Sequence, residues 1–143
     1  MYSHFKYDVF VSYRQREPDM TWVRSLLLPR LRTAGLAVCV DYECFRLGNL
    51  LIHEMEQAIQ ESRYTLAVFS PAYLDSNFTD FENVLAEHLG LVESQRRLLV
   101  LMRQACTPRL GVSARLWLDM TNDEAFEVKF AELLKTLEDR EDL

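Results

Sequence analysis

The sequence contains no cysteine pair at C-x-x-C spacing and no histidine at H-x-x-x-H or H-E-x-x-H spacing. Its cysteines, Cys39, Cys44 and Cys106, are odd in number, which argues against a disulfide framework or a zinc site and fits reduced thiols. His4, His53 and His88 stand apart from one another, so no metal role is expected. No stretch approaches the roughly eighteen apolar residues of a membrane span, and MYSHFKYD lacks the apolar region of a signal peptide. A cytoplasmic protein without a membrane role is the expectation. Positive charge is in deficit: the net charge of −6 argues against a general nucleic-acid or membrane-surface binder, although a local basic cluster stays possible. Internal repeats and low-complexity segments are absent.

What the chain does have is the apolar content of a globular domain, 49% over 143 residues, enough for one core. A single domain is expected, with an ordered part from about residue 5 to 138 and residues 139–143 as a terminus or the start of a linker.

The stretch from Ser62 to Val92 organises the rest. Tyr64 to Phe69 is nearly unbroken in its apolarity, the pattern of a parallel strand covered on both faces. Beyond Ser70-Pro71 the period changes, and Phe78, Phe81, Val84, Leu85, Leu89 and Val92 recur at helical spacing. On that helix Glu82 lies on the flank of the apolar stripe, near Phe78 and close to the carboxyl end of the strand, where open α/β sheets bind ligands. Thr79-Asp80-Phe81-Glu82 also fits a capping box, in which Glu82 bonds the backbone of Thr79. Both roles stay open at this point.

Around that unit, Tyr7 to Ser12 reads as a first strand, followed by a loop with Arg14 and Arg16. Those arginines read either as solvated charge or as an anion site, arginine's planar fork being suited to phosphate oxygens. Pro18 or Asp19 opens a helix carrying Trp22, Val23, Leu26, Leu27 and Leu31, which Pro29 is predicted to kink and Gly35 to end. Leu36 to Val40 is a second strand, and Asp41 to Asn49 an unusually long loop of the kind that carries function. Asn49 is predicted to cap a helix from Leu50 to about Glu61 with Leu51, Met55, Ala58 and Ile59 inward. Leu98 to Met102 and Arg115 to Leu118 are the fourth and fifth strands, with a loop from Arg103 to Ser113 between them. Glu124 to Leu137 forms the last helix.

Alternating strands and helices predict a flavodoxin-like α/β fold: a five-stranded parallel sheet in the order 2-1-3-4-5, with helices on both faces. In that order the topological switch falls between the first and third strands. The loops there place arginines on one side of a crevice and Glu82 on the other. Such a site suits a ligand with phosphates and a cationic or electron-poor centre.

Along nearly its whole length the chain resembles a Toll/interleukin-1 receptor (TIR) domain. Tyr7-Asp8-Val9-Phe10-Val11-Ser12-Tyr13-Arg14 is similar to the family's first box, and Asp41 followed by Arg46-Leu47-Gly48 resembles its BB loop. Ser70-Pro71-Ala72-Tyr73-Leu74 resembles the segment leading to its third helix. Ser76-Asn77-Phe78-Thr79-Asp80-Phe81-Glu82 is similar to the S-x-W-C-x-x-E pattern of the NAD-cleaving members, whose glutamate is required for cleavage. The chain departs from the family at Leu47, where many members have proline, at Phe78 in place of tryptophan and at Thr79 in place of cysteine. Phe78 can still stack on a planar ring. The missing proline frees the loop and weakens the analogy to receptor adaptors.

The resemblance implies an NAD glycohydrolase, with Glu82 catalytic and NAD as substrate rather than cofactor. Tyr13, Arg14, Asp41, Phe45, Arg46, Ser70 and Phe78 are the implied substrate contacts. It also implies self-association through the loop Arg46, Leu47 and Gly48, and attachment to a sensor or regulatory domain in a larger protein. The alternative it carries is a non-enzymatic interaction module of the signalling-adaptor type. A phospho-receiver, which shares the strand order, is disfavoured because no acidic residue ends the third strand at Phe69-Ser70.

Overall fold

The computed structural model describes residues 5–76, 97–107 and 117–139. The helix expected from Phe78 to Val92, and with it Phe78 and Glu82, lies outside the described residues, as do His4, His88 and residues 108–116.

The first strand, β1, is Tyr7–Ser12. Its period of two sends Val9 and Val11 into the core on one face of the sheet and Phe10 into the core on the other. A three-part helix follows, here called α1: α-helical over Asp19–Trp22, π-helical over Val23–Leu27 and α-helical again over Leu28–Thr33. The π segment sits immediately before Pro29, where the Leu28 N–H reaches back five residues to the Val23 carbonyl. Pro29 has no N–H to continue an α-helical ladder and its ring crowds the preceding turn, so the predicted distortion takes the form of one widened turn. Gly35, at φ 88°, closes the helix as expected.

Strand β2 is Val38–Val40, shorter than its apolar run. The next residues correct the expectation of one long loop: Asp41–Cys44 forms a helical turn, α2, whose Asp41 carbonyl accepts the Phe45 N–H at 2.9 Å. Helix α3 runs over Leu51–Glu61. Two expectations fail at its start. Leu50 occupies the cap position without a side-chain bond, because the Asn49 amide instead donates to Glu54. Leu51 is 59% exposed rather than inward, since the first turn overhangs the end of the sheet, and Ile52 packs inward with Met55, Ala58 and Ile59.

Strand β3, Ser62–Phe69, is buried at every position and starts two residues before its apolar run. Helix α4 is Pro71–Ser76, and strand β4 is Leu98–Met102. Among the described residues strand β5 is Leu118–Asp119, pairing with Leu101 and Met102, so it reaches one residue past the predicted end at Leu118; Arg115, where the predicted strand begins, lies outside the described residues. A 3-10 turn over Asp123–Ala125, capped by the Asn122 side chain accepting the Glu124 N–H, leads into α5, Phe126–Glu138. Phe126, Phe130, Leu133 and Leu137 are buried, as their spacing predicts.

All five strands are parallel in the order β2-β1-β3-β4-β5. Helices α1 and α5 cover one face, over Val9, Val11, Leu66 and Val68; α3 and α4 cover the other, over Phe10, Ala67 and Phe69. Burial of both faces explains why β3 reads as a continuous apolar run. At the amino end of the sheet, buried Arg63 donates to the Leu137 and Asp139 carbonyls that end α5, and buried Arg97 donates to the Ile59 and Ser62 carbonyls that end α3. These bonds satisfy carbonyls that a helix end leaves open. They hold the floor of the sheet and leave the carboxyl end to the loops. Among the described residues no helix is long and apolar enough to cross a membrane.

Candidate functional site

The sheet order reverses between β1 and β3, and on the β2 side of β1 the segments leaving the carboxyl ends of β1 and β2 open a crevice, to which β3 contributes no lining residue. Its wall is built from Ser12, Tyr13 and Gln15 after β1, Asp41 and Phe45 after β2, and Leu51 and Met55 from α3. The void and its open mouth together span about 380 Å³.

Tyr13 and Asp41 are both buried and form the polar centre of this wall. The Tyr13 hydroxyl donates to Asp41 Oδ1 at 3.0 Å and accepts from Arg24 Nε at 2.8 Å. Gln15 donates its amide to Asp41 Oδ2. The Arg24 guanidinium also lies over the Tyr42 ring, 4.5 Å from its centroid, a second contact that restrains it beside Tyr13. Burial pushes the Tyr13 phenol up to about 12, outweighing the opposing pull of the Arg24 bond. The hydroxyl therefore keeps its proton at any physiological pH, and donates to Asp41 throughout. Phe45 adds an aromatic surface, tilted against Phe10 with ring centroids 6.0 Å apart.

Ser70, expected among the ligand contacts, is fully buried. Its hydroxyl donates to Asp19 Oδ2 and accepts the Tyr73 N–H at 3.2 Å, so the side chain ties α1 to the end of β3 and is not presented to the crevice. Buried Asp19 also accepts from Gln104, and Ser12 shares a 2.8 Å hydrogen bond with the Tyr73 hydroxyl. This polar layer is the frame on which the crevice loops sit. Arg14 is half-buried on the loop after β1.

Arg46 separates from the Tyr13–Asp41 group. It borders a second cavity with Tyr7, Cys39, Cys44 and Glu61, and Phe45 is the partition, lining both. Beyond it the loop tip is open to solvent: Leu47 is fully exposed, Gly48 adopts φ 90°, and Leu50 is 64% exposed. The structure thus brings Tyr13, Asp41 and Phe45 together, puts Arg46, Leu47 and Gly48 on an adjoining projection, and leaves Phe78 and Glu82 outside the described residues.

From the sequence no site role is assigned to three residues that hold the crevice and its frame, Gln15, Arg24 and Asp19, nor to Glu54, which lies outside the crevice under the loop tip. Gln15 and Arg24 carry no motif or spacing that points to a site, and Asp19 reads as a helix-opening acid. Glu54 reads as one more charge on an amphipathic helix; the only signal was its place in the first turn, five residues after Asn49. Among the described residues, no cluster of His, Cys, Asp and Glu has the makeup of a metal site.

Comparison with known proteins agrees with this architecture. The family model for the TIR domain matches residues 9–134. The probable 2' cyclic ADP-D-ribose synthase BdTIR of Brachypodium distachyon is 35% identical over 94 residues, which are 66% of this chain and 39% of that protein. Human Toll-like receptor 1 is 25% identical over 99 residues, 69% of this chain and 12% of the receptor. The chain thus spans well under half the length of either relative. Among solved structures, the TIR domain of the Toll-related receptor TRR-2 from Hydra magnipapillata superposes with a TM-score of 0.77 at 22% identity, covering 92% of this chain and 98% of that one. The TIR domains of the activated Roq1 resistosome give a TM-score of 0.53 at 25% identity, covering 71% of this chain and 60% of that one. With a family model spanning the sheet from β1 to α5, and the same fold in a solved TIR domain, this chain belongs to the TIR domain family.

Proposed function

We propose that this domain is an NAD(+) glycohydrolase, switched on by self-association, that breaks the bond between nicotinamide and ribose. The observation that carries the reading is the crevice at the carboxyl ends of β1 and β2, where the Tyr13 hydroxyl, the Asp41 carboxylate and the Phe45 ring converge. Likeness to a plant protein named for cyclic ADP-ribose synthesis supports it.

The chemistry asks little of an acid. Nicotinamide leaves with the bonding pair as a neutral molecule, because it is bound as a cation. Positive charge builds on the ribose as the bond stretches, and an ionised carboxylate stabilises that oxocarbenium-like state. Glu82, which lies outside the described residues, is assigned this role from its motif. Phe45 and Phe78 offer surfaces for a planar ring, Asp41 and Tyr13 polar contacts, and Arg14 a phosphate contact. Water adding to the anomeric carbon gives ADP-ribose; a hydroxyl of the same molecule gives a cyclic isomer.

Glu82→Gln tests this directly. Glutamine is nearly isosteric and keeps both helix propensity and capping ability, so only the charge is lost. Nicotinamide release at equal protein concentration is expected to fall about a hundredfold or more, with an unchanged thermal melt. A normally folded and fully active variant removes Glu82 from the mechanism.

A second reading, a recruitment module without catalysis, draws on the exposed Leu47, Leu50 and Leu51. It predicts no nicotinamide release at any protein concentration, with self-association retained.

A further inference from the structure

Helix α3 carries a carboxylate whose hydrogen bonds all run to the loop before it. Glu54 is 6% exposed, although it lies in the first turn of a surface helix. Its Oε1 accepts the backbone N–H of Arg46 at 2.7 Å, with Arg46 Nε 3.5 Å away, and its Oε2 accepts the Asn49 amide at 3.1 Å. Those bonds, the Arg46 N–H first and the Asn49 amide second, hold the carboxyl below the usual carboxylate range. The Arg46 guanidinium is fastened once more, donating to the Gln57 side-chain amide oxygen Oε1, one helical turn along, at 3.1 Å.

The loop is therefore a turn pinned at both ends to one buried anion. The Asn49 N–H closes it onto the Arg46 carbonyl at 3.3 Å, and Leu47 and Gly48 form its tip. No side chain covers that tip among the described residues: Leu47 is fully exposed, and the space around the Gly48 Cα is open. The loop's shape thus depends on its anchors and on the left-handed angle at Gly48, not on packing. Ordering such a segment in advance lowers the entropy lost when it meets a partner.

We propose that Glu54 is a positioning residue, presetting the loop Arg46–Asn49 for self-association of this domain without touching substrate. In its activity readout the proposal rests on the glycohydrolase reading above. It predicts that loss of Glu54 raises the protein concentration at which activity appears, and leaves the turnover of the assembled enzyme unchanged.

Glu54→Leu keeps helix propensity and removes both acceptors; Glu54→Gln keeps an acceptor for the Arg46 N–H and, after rotation of the Asn49 amide, a partner for that side chain. Each is compared with the parent chain by hydrogen exchange of the Arg46 and Asn49 amides, sedimentation and nicotinamide release across protein concentration. For Glu54→Leu we expect roughly tenfold faster exchange at Arg46, and a roughly tenfold higher concentration for half-maximal assembly and activity. Its limiting turnover should match the parent, and Glu54→Gln should lie within about twofold throughout. Parental exchange and assembly in Glu54→Leu, or an equal loss in both variants, overturns the proposal. If Glu54→Leu does not fold, Asn49→Ala removes the exposed loop-side partner alone, and its failure to shift assembly overturns it equally. A parent chain that releases no nicotinamide, with exchange and sedimentation still shifting as expected, refutes the glycohydrolase reading and supports the anchor.

Discussion

Tyr13 and Arg14 are neighbours in sequence; Tyr13 lines the crevice, and Arg14 has a proposed role only. The Tyr13 hydroxyl has both its donor and acceptor roles filled, by Asp41 and Arg24, so it is held in one orientation before any ligand arrives. Arg14 sits half-buried where the loop leaves β1, and in the proposed reaction its guanidinium would meet phosphate oxygens in the ground state and the transition state alike. Arg14→Ala is therefore expected to raise KM by the worth of one charge-assisted bond, about 1.5–3 kcal/mol, with kcat nearly unchanged. A fall in kcat at constant KM, measured by steady-state nicotinamide release, would contradict the assignment. The sequence points to Tyr13 and Asp41 separately, as substrate contacts; the bond between them, 28 positions apart in the chain, is visible only in the fold. Ser70 was singled out by its place after β3, but which way its side chain turns depends on Asp19, 51 positions away.

At the scale of elements, two glycines share one backbone angle and differ in what depends on it. Gly35 closes α1 at φ 88° and Gly48 turns the loop tip at φ 90°, and an added Cβ would meet nothing at either position. Only backbone strain separates the variants from the parent, about 1–2 kcal/mol for a residue with a Cβ. Gly35→Ala is expected to lower the melting temperature by a few degrees, because the helix end is part of the cooperative fold. Gly48→Val should leave the melt nearly unmoved, because a loop tip unfolds locally, and weaken self-association in sedimentation runs. Equal drops in both melts would mean that the loop folds as one unit with the core. The same scale explains the widened turn before Pro29: a proline in a helical pattern forecasts a distortion, and its form here is the π turn over Val23–Leu27.

For the whole molecule, buried weak acids set the alkaline limit of the fold. Burial pushes Tyr13 up to about 12, and moves the Tyr73 phenol and the Cys39 thiol well above their ordinary ranges. The Tyr7 hydroxyl is raised as well, first by its bond with Cys44 and then by burial. The native state thus holds protons that the unfolded chain releases above pH 9 for the thiol and pH 10 for the phenols, taking their ordinary values of 9.0 and 10.0. Since the unfolded state then binds fewer protons, stability falls as pH rises through that window and is fully present below it. Thermal melts from pH 8 to 11 should show a decline beginning near pH 9 and steepening past 10. A flat melting temperature across that range would mean that these groups ionise in place without penalty. Tyr13→Phe removes one of the contributing groups and should shallow the decline.

Sequence alone determined the sheet. Apolar runs, their change of period and the alternation of elements permit few arrangements, since a parallel sheet covered on both faces demands right-handed crossovers and continuous apolar strands. The observed order β2-β1-β3-β4-β5 follows from those local patterns. Tertiary structure decided where each polar side chain turned. Arg24 orients Tyr13 across 11 residues, and Arg63 reaches the end of α5 across 74. Glu54 faces the loop behind it, not the solvent ahead. A polar residue's hydropathy records only that it can be solvated; its partner is set by which donors and acceptors the folded backbone carries into reach, and that is a property of three dimensions.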